Sequence, residues 1–352
     1  MKAQGIRHKV REKHYIDGEV DLSLVGIVAN PASGKDIRRL VAYGSVFDNQ
    51  EKVRILRRVL LGLRAVGIEK ICYMPDYYGI VQRALDQMKI AADVFPVDIK
   101  IKANQNDSIQ AARIMEDQGA ACIITLGGDG TNRAVAKGNR LVPILPISTG
   151  TNNVFPVMVE GTIAGLAAGL VAGKMIPLTE CTYASTKLAV VLDGDEVDSA
   201  IVDVAVCDDI FIASRAVWKM EKVRQLFLNR TEPGNIGFSS IGSMIHSIGP
   251  EEPHCMYLKL DSDRGQPITA PVAPGIIETV YIADNQIMSV DDELEISSRP
   301  SILALDGERE VEVRKGQSAA IRLKKDGPIV VDVKKTMASA MRGKILAPSF
   351  SL

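Results

Sequence analysis

The sequence predicts a two-domain α/β protein, with a parallel-sheet first domain and a β-rich second one. Three observations carry this. Short continuous apolar runs alternate with helix-period segments through the first half, the pattern of parallel strands covered on both faces. From about Cys181 onward, strand-like stretches follow one another with few helices between them. And 352 residues, 46% hydrophobic and 24% charged, are enough chain to bury two separate cores.

Taken in order, LVGIVAN (24–30) reads as a buried strand, and DNQEKVRILRRVLLGLRAVG (48–67) as a helix opened by a capping-box pair, Asp48 and Glu51. EKICYM, the segment 76–89, DVFPVDI, NDSIQAARIMEDQG and ACIITL continue the alternation. GTIAGLAAGLVAG (161–173) reads as a packed helix in which Gly165, Gly169 and Gly173 allow close approach; Lys174 ends it short of the ~20 residues a membrane span needs. KLAVVLDG, SAIVDVAVC, HCMYLKL, ETVYIA, DELEIS, SILALDG, EREVEVRKG, AAIRLKK and PIVVDVK are the strands of the second domain, interrupted by a helix-like stretch at 214–228. Trp218, Met220, Phe227 and Leu228 are expected on one face of that helix. The boundaries expected are 1–180 for the first domain, with a solvated basic arm over 1–20, then 181–335, then a tail at 336–352 returning to the first domain.

Charge and composition narrow the partners. A formal net charge of -1 supplies no global attraction to nucleic acid or to an anionic membrane, so phosphate binding must be local and the partner small. The basic N-terminus has no apolar stretch behind it and is not read as a secretory signal. Five cysteines without a CxxC pair fit reduced, buried thiols in a cytoplasmic protein. The four histidines have no zinc-ligand spacing. A homo-oligomer is expected.

The chemistry concentrates in LGGDGTNRAVAKG (126–138), at the turn between a strand and a helix, the edge where open α/β sheets bind ligands. Gly127, Gly128 and Gly130 lack Cβ atoms, so the backbone can bring N–H groups against phosphate oxygens at a helix N-terminus. Asp129 is out of place beside phosphate unless it binds Mg2+ or takes a proton from an attacking hydroxyl, and both tasks belong to phosphoryl transfer. The competing reading is a tight turn in which Asp129 caps the helix. NPASGKD (30–36) is not a P-loop, because Ala29 stands at the first glycine position and Asp36 where Ser or Thr is needed, and no GxGxxG follows a strand.

GGDGT after a strand, with an earlier strand ending in NPASGK, resembles the superfamily that joins NAD kinases with diacylglycerol and sphingosine kinases. PISTGTNNVFP (146–156) and the long insert after NPASGK are most similar to the ATP-NAD kinase-like subgroup called acetoin catabolism protein X. The resemblance covers most of the chain. It implies an N-terminal nucleotide domain, a sandwich-like β-rich C-terminal domain and a site between them. It further implies ATP as phosphoryl donor, Mg2+, and NAD as acceptor through its 2'-hydroxyl. The implied nucleotide-binding residues are Asn30, Ser33, Gly34, Lys35, Gly127, Gly128, Gly130, Thr131, Thr149, Gly150, Thr151, Asn152 and Asn153, with Asp129 catalytic.

For the acceptor, GFSSIGSMIHSIGP (237–250) resembles the NAD kinase dinucleotide motif through Ser240, Gly242 and Ser243. AVCDDIFI (205–212) resembles the stretch that holds the nucleoside of NAD, with Asp208 at the acidic place but Cys207 where the family has Asn, and a thiol cannot replace an amide's paired donor and acceptor. The Asn-Gly-Gly loop of the family is altered to Thr149–Asn153. PISTGTNN and ALDGERE (304–310) resemble lipid-kinase motifs instead, with Asp306 and Glu308 as substrate carboxylates and Asp306 joining Asp129 at Mg2+. No basic amphipathic helix offers a membrane-docking surface, which favours the NAD kinase branch over a diacylglycerol or sphingoid kinase. A nucleotide-binding regulatory protein that has lost phosphoryl transfer is the non-enzymatic alternative.

Overall fold

A computed structural model describes residues 23–34, 47–86, 88–208 and 220–347. The expected N-terminal arm, Lys35 and Trp218 lie outside the described residues. In the first half the strands are β1 (Leu24–Ala29), β2 (Lys70–Tyr73), β3 (Asp93–Pro96), β4 (Ala120–Gly127) and β5 (Ile144–Ser148). Between and after them come helices α1 (Asn49–Ala65), α2 (Ile80–Leu85), α3 (Gln105–Asp117), α4 (Asp129–Gly138), α5 (Gly161–Ala172) and α6 (Leu178–Cys181). The Asp48 carboxylate accepts from the Glu51 N–H at 2.7 Å and caps α1, as the sequence predicts. Strands β1 to β5 pair in parallel in the order β3-β2-β1-β4-β5. The sheet is buried on both faces: Val25, Ile27 and Ala29 of β1 face α1 and α5, while Leu24 and Val28 face the α3 and α4 side.

Helices α1 and α5 cross at backbone contact. A Cβ on Gly165 would stand 2.2 Å from the Val59 carbonyl oxygen, and one on Gly62 would stand 2.4 Å from that of Thr162. Only glycine admits this approach.

The second half adds β6 (Thr182–Ala184), β7 (Lys187–Leu192), β8 (Asp195–Ala200), β9 (Asp203–Cys207), β10 (Val223–Leu228) and β11 (His254–Asp261). It continues with β12 (Gln266–Ala273), β13 (Ile276–Ser289), β14 (Glu293–Glu295), β15 (Ser301–Leu305), β16 (Glu308–Val313), β17 (Ala319–Lys324) and β18 (Ile329–Val331). Its helices are α7 (Phe238–Ser243) and α8 (Val333–Arg342). A seven-stranded sheet (β12-β13-β11-β10-β9-β15-β16) and a four-stranded one (β14-β17-β7-β8) are antiparallel. Val204, Val206, Phe227 and Leu303 of the larger sheet share a core with Leu188, Val190 and Ile321 of the smaller, and the alternate residues Ala205, Leu226 and Leu228 face α7 on the other side.

Strand membership departs from the expected boundaries at both ends. β6 and β18 complete the first sheet, so the chain leaves the α/β layer after Ala184, not at 181, and is back in it by Ile329, not at 336. The helix expected over 214–228 is, from Met220 on, a short 3-10 turn followed by β10, which puts Phe227 and Leu228 on opposite faces of a sheet. A run of six apolar-rich residues does not distinguish the two periods, and the strands on either side decide it.

Candidate functional site

Three loops meet at the carboxyl edge of the central strands: residues 30–34 after β1, the start of α4 after β4, and residues 149–155 after β5. The Asn30 side chain donates to Thr131 Oγ1 at 2.9 Å, and the hydroxyls of Ser33 and Thr149 lie 3.0 Å apart. Gly34 has φ +82°, and a Cβ there would stand 2.9 Å from Phe47 O and 3.0 Å from Thr149 O. The Asn153 amide donates to Ser148 Oγ at 2.8 Å, and the Thr149 N–H to Gly127 O at 3.3 Å. Asn30, Ser33, Gly34, Gly127, Gly128, Thr131, Thr149, Gly150 and Asn153 thus lie together at this edge, while Thr151 is exposed. Asn152 Oδ1 is buried and has no hydrogen-bond partner among the described residues.

The glycines make room for the chain itself. A Cβ on Gly127 would stand 2.4 Å from the Thr131 side chain, and one on Gly128 2.7 Å from Asn153 Oδ1. The Cβ side of Gly127 and Gly128 is therefore filled by side chains that tie the loops together.

Asp129 does not cap its helix; the cap is Gly128, with no side-chain bond. The Asp129 carboxylate reaches across to the third loop. Its Oδ1 accepts from Val154 N at 3.1 Å and Phe155 N at 2.8 Å, and its Oδ2 is 3.2 Å from Val154 N.

Beneath the first loop lies Lys52, fully buried, whose ammonium donates to Asn30 O at 2.8 Å, Ser33 O at 2.6 Å and Asn49 Oδ1 at 3.0 Å. A lysine inside the apolar stripe of α1 is a legible anomaly that the motif reading passed over. Nearby, burial pushes the Asp76 carboxyl up, against three backbone N–H bonds and the Lys52 charge.

The second domain approaches α4. Arg133 is 1% exposed, with Nη1 3.6 Å from Asp198 of β8 and Nε 3.7 Å from Asp306; one helical turn on, Lys137 reaches Asp198 at 2.6 Å. A Cβ on Gly130 would stand 3.5 Å from Glu308 Oε1, so Glu308 does come to the first turn of α4.

Asp306 requires a correction. Asp306 (φ +50°) and Gly307 (φ +82°) form the two-residue hairpin between β15 and β16, with Leu305 paired to Glu308. The Asp306 side chain is sealed from solvent and Oδ1 accepts from the N–H groups of Ile201, Val202 and Asp203 at 3.1, 2.8 and 3.1 Å. Burial pushes its carboxyl up, opposed by Arg133 and these N–H groups. So enclosed, it does not fit as a Mg2+ ligand or a substrate contact. Among the described residues no three His, Cys, Asp or Glu side chains gather as a metal site.

The expected acceptor residues are not brought together. Asp208 sits exposed past the far end of β9, ion-paired to Arg224 at 3.3 Å. Gly242 packs instead at the other end of the neighbouring strand, where a Cβ would meet Thr231 and Leu228 at 2.4 and 2.7 Å. Val223 to Leu228 separates them by about 17 Å at strand rise. Ser240 is buried with its hydroxyl given to Gly237 O and Pro271 O, and Ser243 donates to Ser240 O. These groups hold α7 in place.

The fold and the three-loop site are those of a two-domain protein with an ATP-NAD kinase-type N-terminal half: residues 25–175 match the ATP-NAD kinase N-terminal domain. Residues 186–326 match the acetoin catabolism protein X C-terminal domain. The acetoin catabolism protein X of Cupriavidus necator is 35% identical over 336 residues, covering 92% of this chain and 94% of that one. The chain belongs to the acetoin catabolism protein X family. The NAD kinase of Thermoplasma acidophilum is 26% identical over 268 residues, 72% of this chain and 90% of its own. Yeast NADH kinase, solved with NADH, shares the fold with a TM-score of 0.52 at 13% identity, over 94% of this chain and 90% of that one. These matches support a kinase-like phosphotransferase. No described helix is long and apolar enough to cross a membrane.

Proposed function

We propose that the chain transfers a phosphoryl group from ATP to a hydroxyl of NAD or NADH. The observation that carries the reading is the meeting of three loop ends around Asp129 at the carboxyl edge of β1, β4 and β5, in a chain whose N-terminal half matches the ATP-NAD kinase domain. In this reading residues 30–34, the α4 N-terminus with Gly127, Gly128, Gly130 and Thr131, and residues 149–153 hold the phosphates. The Lys52 charge and the helix dipole favour that place for an anion.

Asp129 is the group proposed to meet the acceptor. The Val154 and Phe155 N–H groups fix the Asp129 carboxylate on the third loop, and in this reading that carboxylate accepts the hydroxyl proton. Phosphoryl transfer asks mainly for positioning, so a carboxylate fixed on the loop that lines the acceptor side suits it. No step is assigned to Mg2+.

A second reading, a nucleotide-binding regulatory protein, is favoured by the same bonds, since they give Asp129 a structural reason to exist. One assay separates the two: purified protein with Mg-ATP and NAD or NADH, NADP(H) formation being followed by a coupled dehydrogenase, with a diacylglycerol and a sphingoid base as further acceptors. NADP(H) formation supports the first reading. Nucleotide binding without turnover on any acceptor supports the second.

A further inference from the structure

Arg230, just past β10, is 3% exposed and lies between the two halves of the molecule. Its guanidinium carbon sits 4.3 Å from the ring centre of Phe155 and 5.9 Å from that of Tyr183. Among the described residues Nε is buried without a hydrogen-bond partner, and Nη2 has two contacts, Tyr183 Oη and Ser185 Oγ, both at 3.4 Å. Charge-assisted bonds are normally ~2.7–2.9 Å, so both are slack. No carboxylate pairs with Arg230 among the described residues, although Arg133, the other buried arginine of this interface, faces two.

A buried guanidinium without a counter-charge is costly, and its planar fork matches a two-oxygen edge. The Phe155 ring covers one side of the group and cannot satisfy its N–H donors, which remain for hydrogen bonding. Phe155 is also the residue whose N–H holds Asp129, so the fork stands next to the loop proposed to line the acceptor side. The hydroxyl of Tyr183 can donate to the same oxyanion.

We infer that Arg230, with Tyr183 and Ser185, receives an oxyanion of the acceptor, a phosphate or a carboxylate, so that the acceptor is an anionic hydroxy compound and not a neutral diacylglycerol or a cationic sphingoid base. Calling the ligand an acceptor rests on the phosphotransferase reading; the oxyanion site itself does not.

The test is calorimetric titration of the full chain, saturated with a non-hydrolysable ATP analogue so that the loop cradle is filled, with inorganic pyrophosphate in one arm and malonate in the other. The wild type takes up one further equivalent of one of the two anions, and which one it takes distinguishes phosphate from carboxylate. In Arg230→Gln the affinity falls at least tenfold. Arg230→Lys keeps the charge but not the fork and loses part of it. Thermal melts establish that the variants fold. If neither arginine variant does, Tyr183→Phe and Ser185→Ala replace them, each weakening binding several-fold. Absence of uptake by the wild type, or equal affinity in the folded variants, overturns the inference. Arginine-dependent uptake without turnover on NAD refutes the kinase reading and leaves the site. Turnover on NAD with a KM unmoved in Arg230→Gln does the reverse.

Discussion

Arg133 of α4 and Asp306 of the β15–β16 hairpin face each other at 3.7 Å, with side chains 1% and 0% exposed, across the boundary between the two halves of the molecule. The pair joins the helix that begins at Asp129 to the turn that ends at Glu308, so the second domain is referenced directly to the site.

Replacing one member tests this. Arg133→Leu leaves the Asp306 carboxylate buried without its cation, and breaking a buried pair typically costs ~3–5 kcal/mol. The sign with pH follows from the direction of the shift. The Asp306 carboxyl is already raised by burial, and losing Arg133 raises it further, so the folded variant holds a proton that the unfolded chain releases. Its stability is therefore greatest below the ordinary carboxylate range and falls as pH climbs from there through the raised value. Denaturant melts across pH should show a steeper decline in Arg133→Leu than in the wild type.

Asp129→Asn separates catalysis from loop anchoring. General-base catalysis is worth ~10²–10⁴-fold, so turnover should fall by that factor with ATP affinity retained. Asn keeps an acceptor for the Phe155 N–H, so the loop should persist. A drop in turnover of less than about tenfold, with proteolysis newly admitted at 149–155, would assign Asp129 to anchoring alone.

Gly128→Val should weaken ATP binding without unfolding the protein. Its Cβ would enter the space of Asn153 Oδ1, displacing the side chain that ties residues 148–153 together. Equilibrium ATP binding and a melt on the same sample check it, and an unchanged affinity in a folded variant would place the phosphates elsewhere.

Lys52→Met should cost both stability and ATP affinity. It strands the carbonyls of Asn30 and Ser33, and a buried acceptor left unmet costs about 1–3 kcal/mol. By contrast Asp208→Ala should leave the KM for NAD within twofold, because Asp208 is an exposed partner of Arg224 at the far end of β9. A large KM change there would restore it to the acceptor site.

Much of this was legible in local pattern. Periodicity located the alternating strands and helices of the first half, the Asp48 cap and the glycine-rich turn before α4, because burial on two faces and a sharp strand-to-helix turn impose residue types at fixed spacing. That NPASG, GGDGT and STGTNN would meet was readable only as a resemblance. Lys52 and Arg230 belong to no motif, and their surroundings are assembled from segments distant in sequence.

The two Asp-Gly turns show where sequence stops. Asp193–Gly194 and Asp306–Gly307 are the same hairpin signal, and each folds as a two-residue turn with positive φ at both positions, as local sterics require. One Asp lies exposed, bonded to Gln317 and Ser318. The other is sealed against Arg133 and three backbone N–H groups. The turn itself is set by the backbone preferences of two residues and is therefore written locally. Whether its carboxylate meets solvent, substrate or a buried arginine depends on which surface a second domain brings to it, and only tertiary packing decides that.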